Sequence, residues 1–240
     1  MFSFFFKRKK IESVFLQTDI HSHLLPAIDD GSQSLEQSLD LIRSFRDAGF
    51  KKLITTPHII SDTYRNTPEI INAKLNELRN FLGSDYNDIK LEAAAEYYLD
   101  PWLMNEVEKK SKLLTFGENY FLFEMNYLTE PYQLNDFLFK VSMQGYKPVL
   151  AHPERYQFMT VAKAEDLHHR GVLLQINLLS LIGFYSKPVQ SMAEQLIAHQ
   201  LVDFIGSDCH SMRHASLLTT AFKNKYIQKA MNLPLLNHLV

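Results

Sequence analysis

The stretch that decides the fold is Asp19-Ile20-His21-Ser22-His23, which follows the apolar residues Val14-Phe15-Leu16. Residues i and i+2 of a β-strand point to the same face, so His21 and His23 are expected to aim their imidazoles into one space. Asp19 lies on the same side as His21 and is expected to orient that ring through its second nitrogen. Two histidines at the end of an apolar strand therefore predict the beginning of a metal site.

Composition and charge exclude several classes of protein. The chain has 240 residues, of which 46% are hydrophobic and 22% are charged, as in ordinary globular proteins. Its formal net charge of −2 provides no basic field that would favour nucleic acid. The single cysteine, Cys209, excludes a disulfide framework and indicates a reducing compartment, so we expect a cytoplasmic protein. No apolar run approaches the roughly 20 residues of a transmembrane helix.

Residues 1–16 are expected to form an N-terminal arm, and residues 17–240 a single domain. The arm contains Phe4-Phe5-Phe6 followed by Lys7-Arg8-Lys9-Lys10, an apolar segment too short and in the wrong order for a signal peptide. Such an arm is expected to be flexible or docked on the surface, with peripheral contact to an anionic membrane as the alternative. No linker-like stretch divides the rest of the chain.

Strand patterns alternate with helix patterns seven times along the sequence. The first helix, for example, begins at the capping-box pattern Ser34-x-x-Gln37 and is expected to end at Gly49. The predicted strands are short and mostly apolar, which is typical of parallel strands buried on both faces. Seven such units predict an α/β fold with a closed or nearly closed barrel, and an open doubly wound sheet is the alternative.

Residues that bind or orient metals follow nearly every predicted strand. In a parallel barrel the carboxyl ends of the strands gather on one face, which is where active sites lie. A single histidine in such a place is usually structural, but convergence of so many strand ends is not expected by chance. With Asp30 from the first loop, the candidate metal ligands are five histidines and four carboxylates: His21, His23, Asp30, His58, Glu96, Glu124, His152, Asp208 and His210.

The chemistry of these ligands favours hard or borderline divalent ions. Imidazole and carboxylate groups without a thiolate suit Mn²⁺, Fe²⁺ or Zn²⁺. Nine ligands are too many for one ion, so we expect three ions that share a bridging carboxylate. The charge of three divalent ions exceeds that of the four carboxylates, and this surplus suits a bound hydroxide and an anionic substrate.

Two arginines indicate the class of substrate. Arg155 lies three residues after His152, and Arg213 lies three residues after His210. A guanidinium group binds phosphate through a bidentate fork, so Arg155 beside a metal cluster predicts hydrolysis of phosphate esters by a metal-activated hydroxide. A surface ion pair is the alternative for each arginine. Cys209 has no arginine six residues later and no phosphate-binding loop of small residues, so a cysteine nucleophile is not expected.

The motifs of this chain resemble those of a known superfamily. The four blocks of the PHP (polymerase and histidinol phosphatase) superfamily resemble Asp19-Ile-His-Ser-His23, Thr55-Thr-Pro-His58, Ala151-His-Pro-Glu-Arg155 and Ser207-Asp-Cys-His210. Two further stretches, Leu24–Gly31 and Ala95-Glu96-Tyr97-Tyr98, resemble the bacterial manganese-dependent protein-tyrosine phosphatases of the CpsB/CapC type. The second block departs from many relatives, because Ile59 stands where they have a second histidine.

The resemblance implies a distorted (β/α)7 TIM-like barrel with three divalent ions, Mn²⁺ foremost and Fe²⁺, Zn²⁺ or Co²⁺ as alternatives. It implies three sets of ligands: His21, His23, Glu96 and Asp208 for one ion, Glu96, Glu124 and His152 for a second, and Asp30, His58 and His210 for a third. By the same resemblance Arg155 is the catalytic arginine that clamps phosphate. Arg213 is a second catalytic candidate, in a loop that is shorter than in many relatives.

The implied activity is hydrolysis of phosphotyrosine on a protein. The implied substrate is a bacterial tyrosine autokinase that regulates capsule or exopolysaccharide synthesis. The main alternative is a PHP-type phosphatase of histidinol phosphate or another small molecule. A nuclease of the same superfamily would need a basic groove, and a non-enzymatic binding module would have lost ligands, so neither is favoured.

Overall fold

Short parallel strands joined by helices make up residues 16–240, the part of the chain that this computed structural model describes. Nine strands lie in that part: β1 Thr18–Asp19, β2 Lys52–Thr55, β3 His58–Ile59, β4 Lys90–Ala93, β5 Glu96–Tyr98, β6 Tyr120–Glu124, β7 Lys147–Ala151, β8 Leu173–Asn177 and β9 Phe204–Gly206. Every strand pairs with its neighbour in parallel. One sheet has the order β1-β2-β4, and the other has the order β3-β5-β6-β7-β8-β9.

Helices connect most successive strands and follow the last one. They are α1 Leu35–Asp47, α2 Pro68–Leu82, α3 Pro101–Glu108, α4 Leu134–Met143, α5 Val161–His169, α6 Lys187–Ala198, α7 Met212–Ala215, α8 Leu218–Ala221 and α9 Lys225–Ala230. Short 3-10 turns lie at Gly83–Tyr86, Pro153–Arg155, Leu178–Ile182 and Leu236–His238. The predicted cap of α1 is present, since the Ser34 side chain accepts a hydrogen bond from the backbone N–H of Gln37.

Nine strands are present instead of the seven predicted, because the second and third predicted strands, which were expected to end at Thr56 and Ala95, are each followed by another short strand. The chain is interrupted at Thr56-Pro57 and resumes as β3, and it is interrupted at Ala94-Ala95 and resumes as β5. Proline has no backbone N–H to donate to a neighbouring strand, so Pro57 weakens the ladder at this point. Contact between the two interrupted strands persists, because the backbone N–H of Glu96 donates to the carbonyl of Pro57 over 3.1 Å.

The free edges of the two sheets approach one another at β1 and β9. Ser22 and Cys209 form an isolated parallel bridge, and the N–H of Asp208 donates to the carbonyl of His21 over 2.8 Å. The regular ladders of residues 16–240 nevertheless form two sheets and no continuous closed barrel. The prediction of an α/β fold built on parallel strands is therefore confirmed.

The alternation of side chains along the strands positions the polar residues at their ends. In β6, Phe121 and Phe123 pack in the large apolar cluster that includes helix residues. Tyr120 and Leu122 belong to a smaller cluster built from strands of both sheets. Because successive side chains of a strand point to opposite faces, Glu124 points to the same side as Leu122. The apolar face that lines the smaller cluster therefore ends in a carboxylate.

The predicted N-terminal arm lies outside the described residues, except for its last residue, Leu16, which is buried. The prediction that residues 17–240 form one domain stays a prediction. Among residues 16–240, no helix is both long enough and apolar enough to cross a membrane.

Candidate metal centre

All nine predicted ligands lie together. His58 and Glu96 begin the short strands β3 and β5, Glu124 ends β6, and Asp30 comes from the loop before α1. The other five directly follow β1, β7 and β9: His21, His23, His152, Asp208 and His210. Within each of four groups the candidate ligand atoms lie no more than 4.8 Å apart: His23, Asp30, His58 and His210; His21, His23 and Asp208; His21, Glu96 and His152; and His58, Glu96 and Glu124. Because the groups share members, they form one continuous cluster of imidazoles and carboxylates.

Glu96 lies at the middle of this cluster and is completely buried. Its Oε2 atom is 3.2 Å from Nε2 of His21 and 3.1 Å from Nδ1 of His58, and its Oε1 atom is 3.1 Å from Nε2 of His152. Burial by itself raises the pKa of Glu96, but the charges of His21 and His58 hold it well below its usual value. Glu96 is therefore an ionised carboxylate placed between three imidazoles, as a bridging ligand would be.

Two histidine rings are oriented by partners outside the cluster. Nδ1 of His21 donates to Oε1 of Gln175 over 2.7 Å, and Nδ1 of His23 donates to Oδ2 of Asp29 over 2.8 Å. These oxygens only accept hydrogen bonds, so the Nδ1 atoms carry the protons. In the neutral ring, which is the form that binds metal, the Nε2 atoms of both histidines present their lone pairs to the cluster, and this is the arrangement of metal-binding histidines.

Asp30 and His210 form the solvent-facing rim of the cluster. Oδ1 of Asp30 lies 3.4 Å from Nε2 of His210 and 3.5 Å from Nε2 of His58. Burial raises the pKa of Asp30, but the hydrogen bond and charge of His210 outweigh it and lower the pKa to about 2. Nδ1 of His210 donates to the backbone carbonyl of Asp208 over 2.9 Å, which fixes the ring of His210.

Asp208 connects the cluster to Arg155. Its Oδ1 atom is 3.5 Å from Nε2 of His21, while its Oδ2 atom accepts from Nη1 of Arg155 over 2.9 Å and from Nδ2 of Asn177 over 2.6 Å. Burial raises the pKa of Asp208, but the neighbouring positive charges, above all that of His21, hold it well below its usual value. A guanidinium group is thus fixed directly beside the candidate metal ligands.

Two of the candidate ligands have a left-handed backbone. His152 has φ of 37° and Asp208 has φ of 51°, each at the point where the chain leaves a strand. Residues other than glycine rarely adopt such angles, and those that do cluster at functional sites. These turns direct both side chains into the cluster instead of continuing the strand.

A cavity of about 330 Å³ opens onto the cluster. Its walls include Arg155 and the ligand candidates on the outer side of the cluster, together with Ile60, Tyr64, Tyr98 and Tyr127. Arg213 does not line this cavity. Its side chain is exposed, and its guanidinium carbon lies 5.0 Å from the centre of the Phe184 ring. A catalytic role for Arg213 stays a prediction.

The residues that hold the cluster from outside were not predicted from the sequence. The carboxylate of Asp19 does not orient His21 as expected, because it accepts two hydrogen bonds of 2.8 Å from Ser207, and Gln175 orients His21 instead. Gln175 and Asn177 lie on β8, the one predicted strand to which no ligand was assigned. The sequence signal that could have identified them is a pair of amide side chains at alternate positions near the end of a buried strand.

The cluster fits divalent metal ions. Oε2 of Glu96 and Nδ1 of His58 are buried and lie 3.1 Å apart, but no contact of either atom within residues 16–240 has the geometry of a hydrogen bond. Buried polar atoms normally have partners, and a bound ion would provide one here. Nitrogen and carboxylate oxygen donors suit Mn²⁺, Fe²⁺ and Zn²⁺. The four groups cut across the division into three ligand sets, since His23 joins Asp30 and His58, so that division stays a prediction.

Comparison with known families shows to which family the chain belongs. The family model for capsular polysaccharide synthesis, CpsB/CapC, matches residues 17–239. The chain belongs to the CpsB/CapC family. It is 26% identical over 197 residues to the tyrosine-protein phosphatase YwqE of Bacillus subtilis (strain 168), a match that covers 81% of this chain and 78% of YwqE. It is also 26% identical over 201 residues to the tyrosine-protein phosphatase CpsB of Streptococcus pneumoniae, covering 81% and 83% of the two chains.

The fold agrees with this assignment. The chain is similar to a structure from work on YwqE of Bacillus subtilis and CpsB of Streptococcus pneumoniae, which are described as metal-dependent tyrosine phosphatases. The TM-score is 0.80 at 25% sequence identity, and the match covers 90% of each chain. The resemblance to the CpsB/CapC type, predicted from the motifs, is confirmed.

Proposed function

We propose that this CpsB/CapC family member is a metal-dependent protein-tyrosine phosphatase, a phosphoric monoester hydrolase. The observation that carries this proposal is the convergence of nine metal-binding side chains beside a fixed arginine. Five imidazoles and four carboxylates meet at one end of the strands, and Arg155 reaches their edge through Asp208. The activity named for the relatives supports the same conclusion.

Three divalent ions would occupy the cluster, with Mn²⁺ as the favoured ion and Fe²⁺, Zn²⁺ or Co²⁺ as alternatives. Glu96 would be the ligand that two of them share. The residues that would hold the ions are His21, His23, Asp30, His58, Glu96, Glu124, His152, Asp208 and His210. When bound, such ions activate water as a nucleophile at neutral pH and neutralise negative charge on a phosphoryl group.

Arg155 would bind the phosphoryl oxygens. A guanidinium group has five N–H donors in a rigid fork, and the contact with Asp208 uses one of them. The remaining donors match the geometry of phosphate, and the side chain is 25% exposed in the wall of the cavity. The phenol of tyrosine has a pKa of about 10, so tyrosinate leaves with little need of a proton donor.

An apolar wall beside the cluster favours an aromatic ester. Ile60 and Tyr64 face each other across a tight turn that two backbone hydrogen bonds of 3.0 Å close. The Tyr64 ring stacks on His58 with centroids 5.7 Å apart and an angle of 14° between the rings. Tyr98 adds a second aromatic side chain to the wall. A phenyl ring attached to a phosphate at the cluster would gain contact area here.

The substrate comparison that tests this proposal uses a phosphotyrosyl peptide and histidinol phosphate. We expect kcat/KM for the peptide to exceed that for histidinol phosphate. Changing Tyr64→Ala should reduce this preference about tenfold, the order of effect expected for one apolar contact. Tyr132→Ala, at a residue that is 91% exposed, should leave the preference unchanged. Faster hydrolysis of histidinol phosphate would identify a small-molecule phosphatase instead.

We also propose that the two sheets act as one distorted (β/α)7 barrel within a single domain of residues 17–240. Two contacts support continuity around the ring of strands. The hydrogen bond from Glu96 to Pro57 joins the interrupted strands, and the bridge between Ser22 and Cys209 joins the first strand to the last. Such a barrel places every strand end at the cluster.

A cytoplasmic location and a tyrosine autokinase substrate complete the proposal. The family description, capsular polysaccharide synthesis, supports a kinase that regulates capsule or exopolysaccharide production. The single cysteine, Cys209, is buried, and burial raises the pKa of its thiol, which is compatible with a packing role. Contact of residues 1–16 with a membrane surface would bring the cluster to a membrane-associated kinase.

A further inference from the structure

We propose that Tyr127 and Tyr185, here called the tyrosine pair, are positioning residues that hold Arg155 ready to bind a phosphoryl group. The proposal rests on the proposed phosphatase function, because it assigns Arg155 to the phosphate. Neither tyrosine belongs to a sequence motif of the cluster. Tyr127 links Arg155 to the carboxylate of Glu124, and Tyr185 links Arg155 to the carboxylate of Asp208.

The rings of the tyrosine pair lie against the guanidinium group. The guanidinium carbon of Arg155 is 4.8 Å from the centre of the Tyr127 ring and 4.6 Å from the centre of the Tyr185 ring. A guanidinium group over an aromatic face gains cation–π attraction and leaves the N–H groups at its edge free to donate. Stacking on two rings therefore restricts Arg155 without occupying the donors that phosphate needs.

The hydroxyl groups of the tyrosine pair anchor the rings to the cluster. The Tyr127 hydroxyl donates to Oε2 of Glu124 over 3.2 Å. The Tyr185 hydroxyl donates to Oδ2 of Asp208 over 3.3 Å and accepts from Nδ2 of Asn177 over 3.1 Å. Each ring, and with it Arg155, is therefore held in a fixed position relative to a carboxylate that is a candidate metal ligand.

The three side chains come from three different loops, so their meeting is a tertiary feature. Tyr127 follows β6, Tyr185 follows the 3-10 turn after β8, and Arg155 ends the 3-10 turn after β7. That last turn is itself fixed, because buried Glu154 accepts from the N–H of Asn177 over 2.8 Å and from Oγ of Ser180 over 2.7 Å. A long side chain that is already restricted loses less entropy when it binds its ligand.

The test compares leucine and phenylalanine at each position. Tyr127→Leu and Tyr185→Leu remove ring and hydroxyl, and each should raise KM for a phosphotyrosyl peptide and weaken binding of inorganic phosphate about tenfold. Tyr127→Phe and Tyr185→Phe keep the ring, and each should weaken phosphate binding only about threefold. Phosphate binding is measured by calorimetry on metal-loaded protein, and kcat should change less than KM.

A double-mutant cycle with Arg155→Ala distinguishes positioning from a general structural effect. If the tyrosine pair acts through Arg155, each Leu substitution should have no further effect on phosphate binding once Arg155 is absent. Tyr132→Leu, at an exposed tyrosine, is the matched control and should bind phosphate like the unmodified protein. Equal losses with and without Arg155 would overturn the proposal, as would a loss of metal that parallels the loss of phosphate.

Two further outcomes would also decide between the proposals. If a Leu variant fails to fold, the Phe variants decide, and unchanged phosphate binding in both would overturn the proposal. If the metal-loaded, unmodified protein binds phosphate through Arg155 but hydrolyses no phosphotyrosine, the proposed function fails. The binding cycle still decides the role of the tyrosine pair in that case.

Discussion

Gln175 decides which nitrogen of His21 faces the cluster. Its amide oxygen accepts from Nδ1 of His21, and its own Nε2 donates to Oδ1 of Asn177 over 2.9 Å. Gln175→Leu removes the acceptor, so the ring loses its fixed tautomer. We expect metal affinity to fall about 10–100-fold, the usual cost of removing such a partner. Metal content after dialysis against limiting Mn²⁺, measured by mass spectrometry, checks this.

The matched control for that prediction is Gln195→Leu. Gln195 is exposed on α6, and its side chain bonds only to Ser191 of the same helix among the contacts seen in residues 16–240. The control should retain metal like the unmodified protein. Equal metal content in the Gln175 and Gln195 variants would show that Gln175 does not tune the cluster.

At the scale of single residues, the sequence predicts which groups meet but not what holds them. All the candidate ligands except Asp30 were recognisable because each follows a predicted apolar strand, and strand ends converge. Their outer partners carry no such marker. Asp19 is close to His21 in sequence and Gln175 is far from it, yet Gln175 makes the contact. Spacing along a strand fixes the direction of a side chain, whereas hydrogen-bond partners across the fold depend on distances that only packing sets.

The loop between β1 and α1 depends on a glycine. A Cβ atom at Gly31 would lie 2.2 Å from the carbonyl oxygen of His23, and the N–H of Gly31 donates to Oδ1 of Asp29, the partner of His23. Gly31→Ala would force this loop away from His23. We expect a loss of about 1–3 kcal/mol in the free energy of unfolding, together with reduced metal content. Chemical denaturation and mass spectrometry measure the two effects.

Gly171→Ala is the control that distinguishes a loss of stability from a loss of metal in the Gly31→Ala variant. A Cβ atom at Gly171 would meet nothing within 4 Å, but the residue has φ of +85°. The substitution should therefore cost about 1–2 kcal/mol of stability through its backbone alone. Metal content should stay normal in this variant. If both glycine variants kept their metal, the loop at Gly31 would not be a determinant of the cluster.

At the scale of elements, periodicity predicts the order of strands and helices well and their continuity poorly. Apolar runs and capping residues indicate where α1 and its neighbours begin. The second and third predicted strands end at Thr56 and Ala95, and β3 and β5, which follow them, are too short to show a periodic pattern. Seven predicted strands therefore become nine. Whether the sheets close depends on the contact of Ser22 with Cys209, 187 residues away in sequence.

The whole molecule should be stabilised by its metal. Ions that bind the folded chain and not the unfolded chain add about 2.7 kcal/mol at a concentration of 100 times Kd. For a chain of 240 residues this corresponds to a rise in Tm of about 5–10 °C. Scanning calorimetry with Mn²⁺ and with chelator measures the difference. His23→Ala should show a much smaller shift, and an equal shift in that variant would place the stabilising ion elsewhere.

The central claim is that the cluster hydrolyses phosphotyrosine with the help of bound metal. The most direct measurement is phosphate release from a phosphotyrosyl peptide, alongside metal content, for purified protein before chelation, after chelation and after addition of Mn²⁺. We predict two to three ions per chain, loss of activity on chelation and its recovery with Mn²⁺. His23→Ala and Asp208→Ala should be inactive, and Cys209→Ser active. Full activity in the chelated protein or in either alanine variant would contradict the claim.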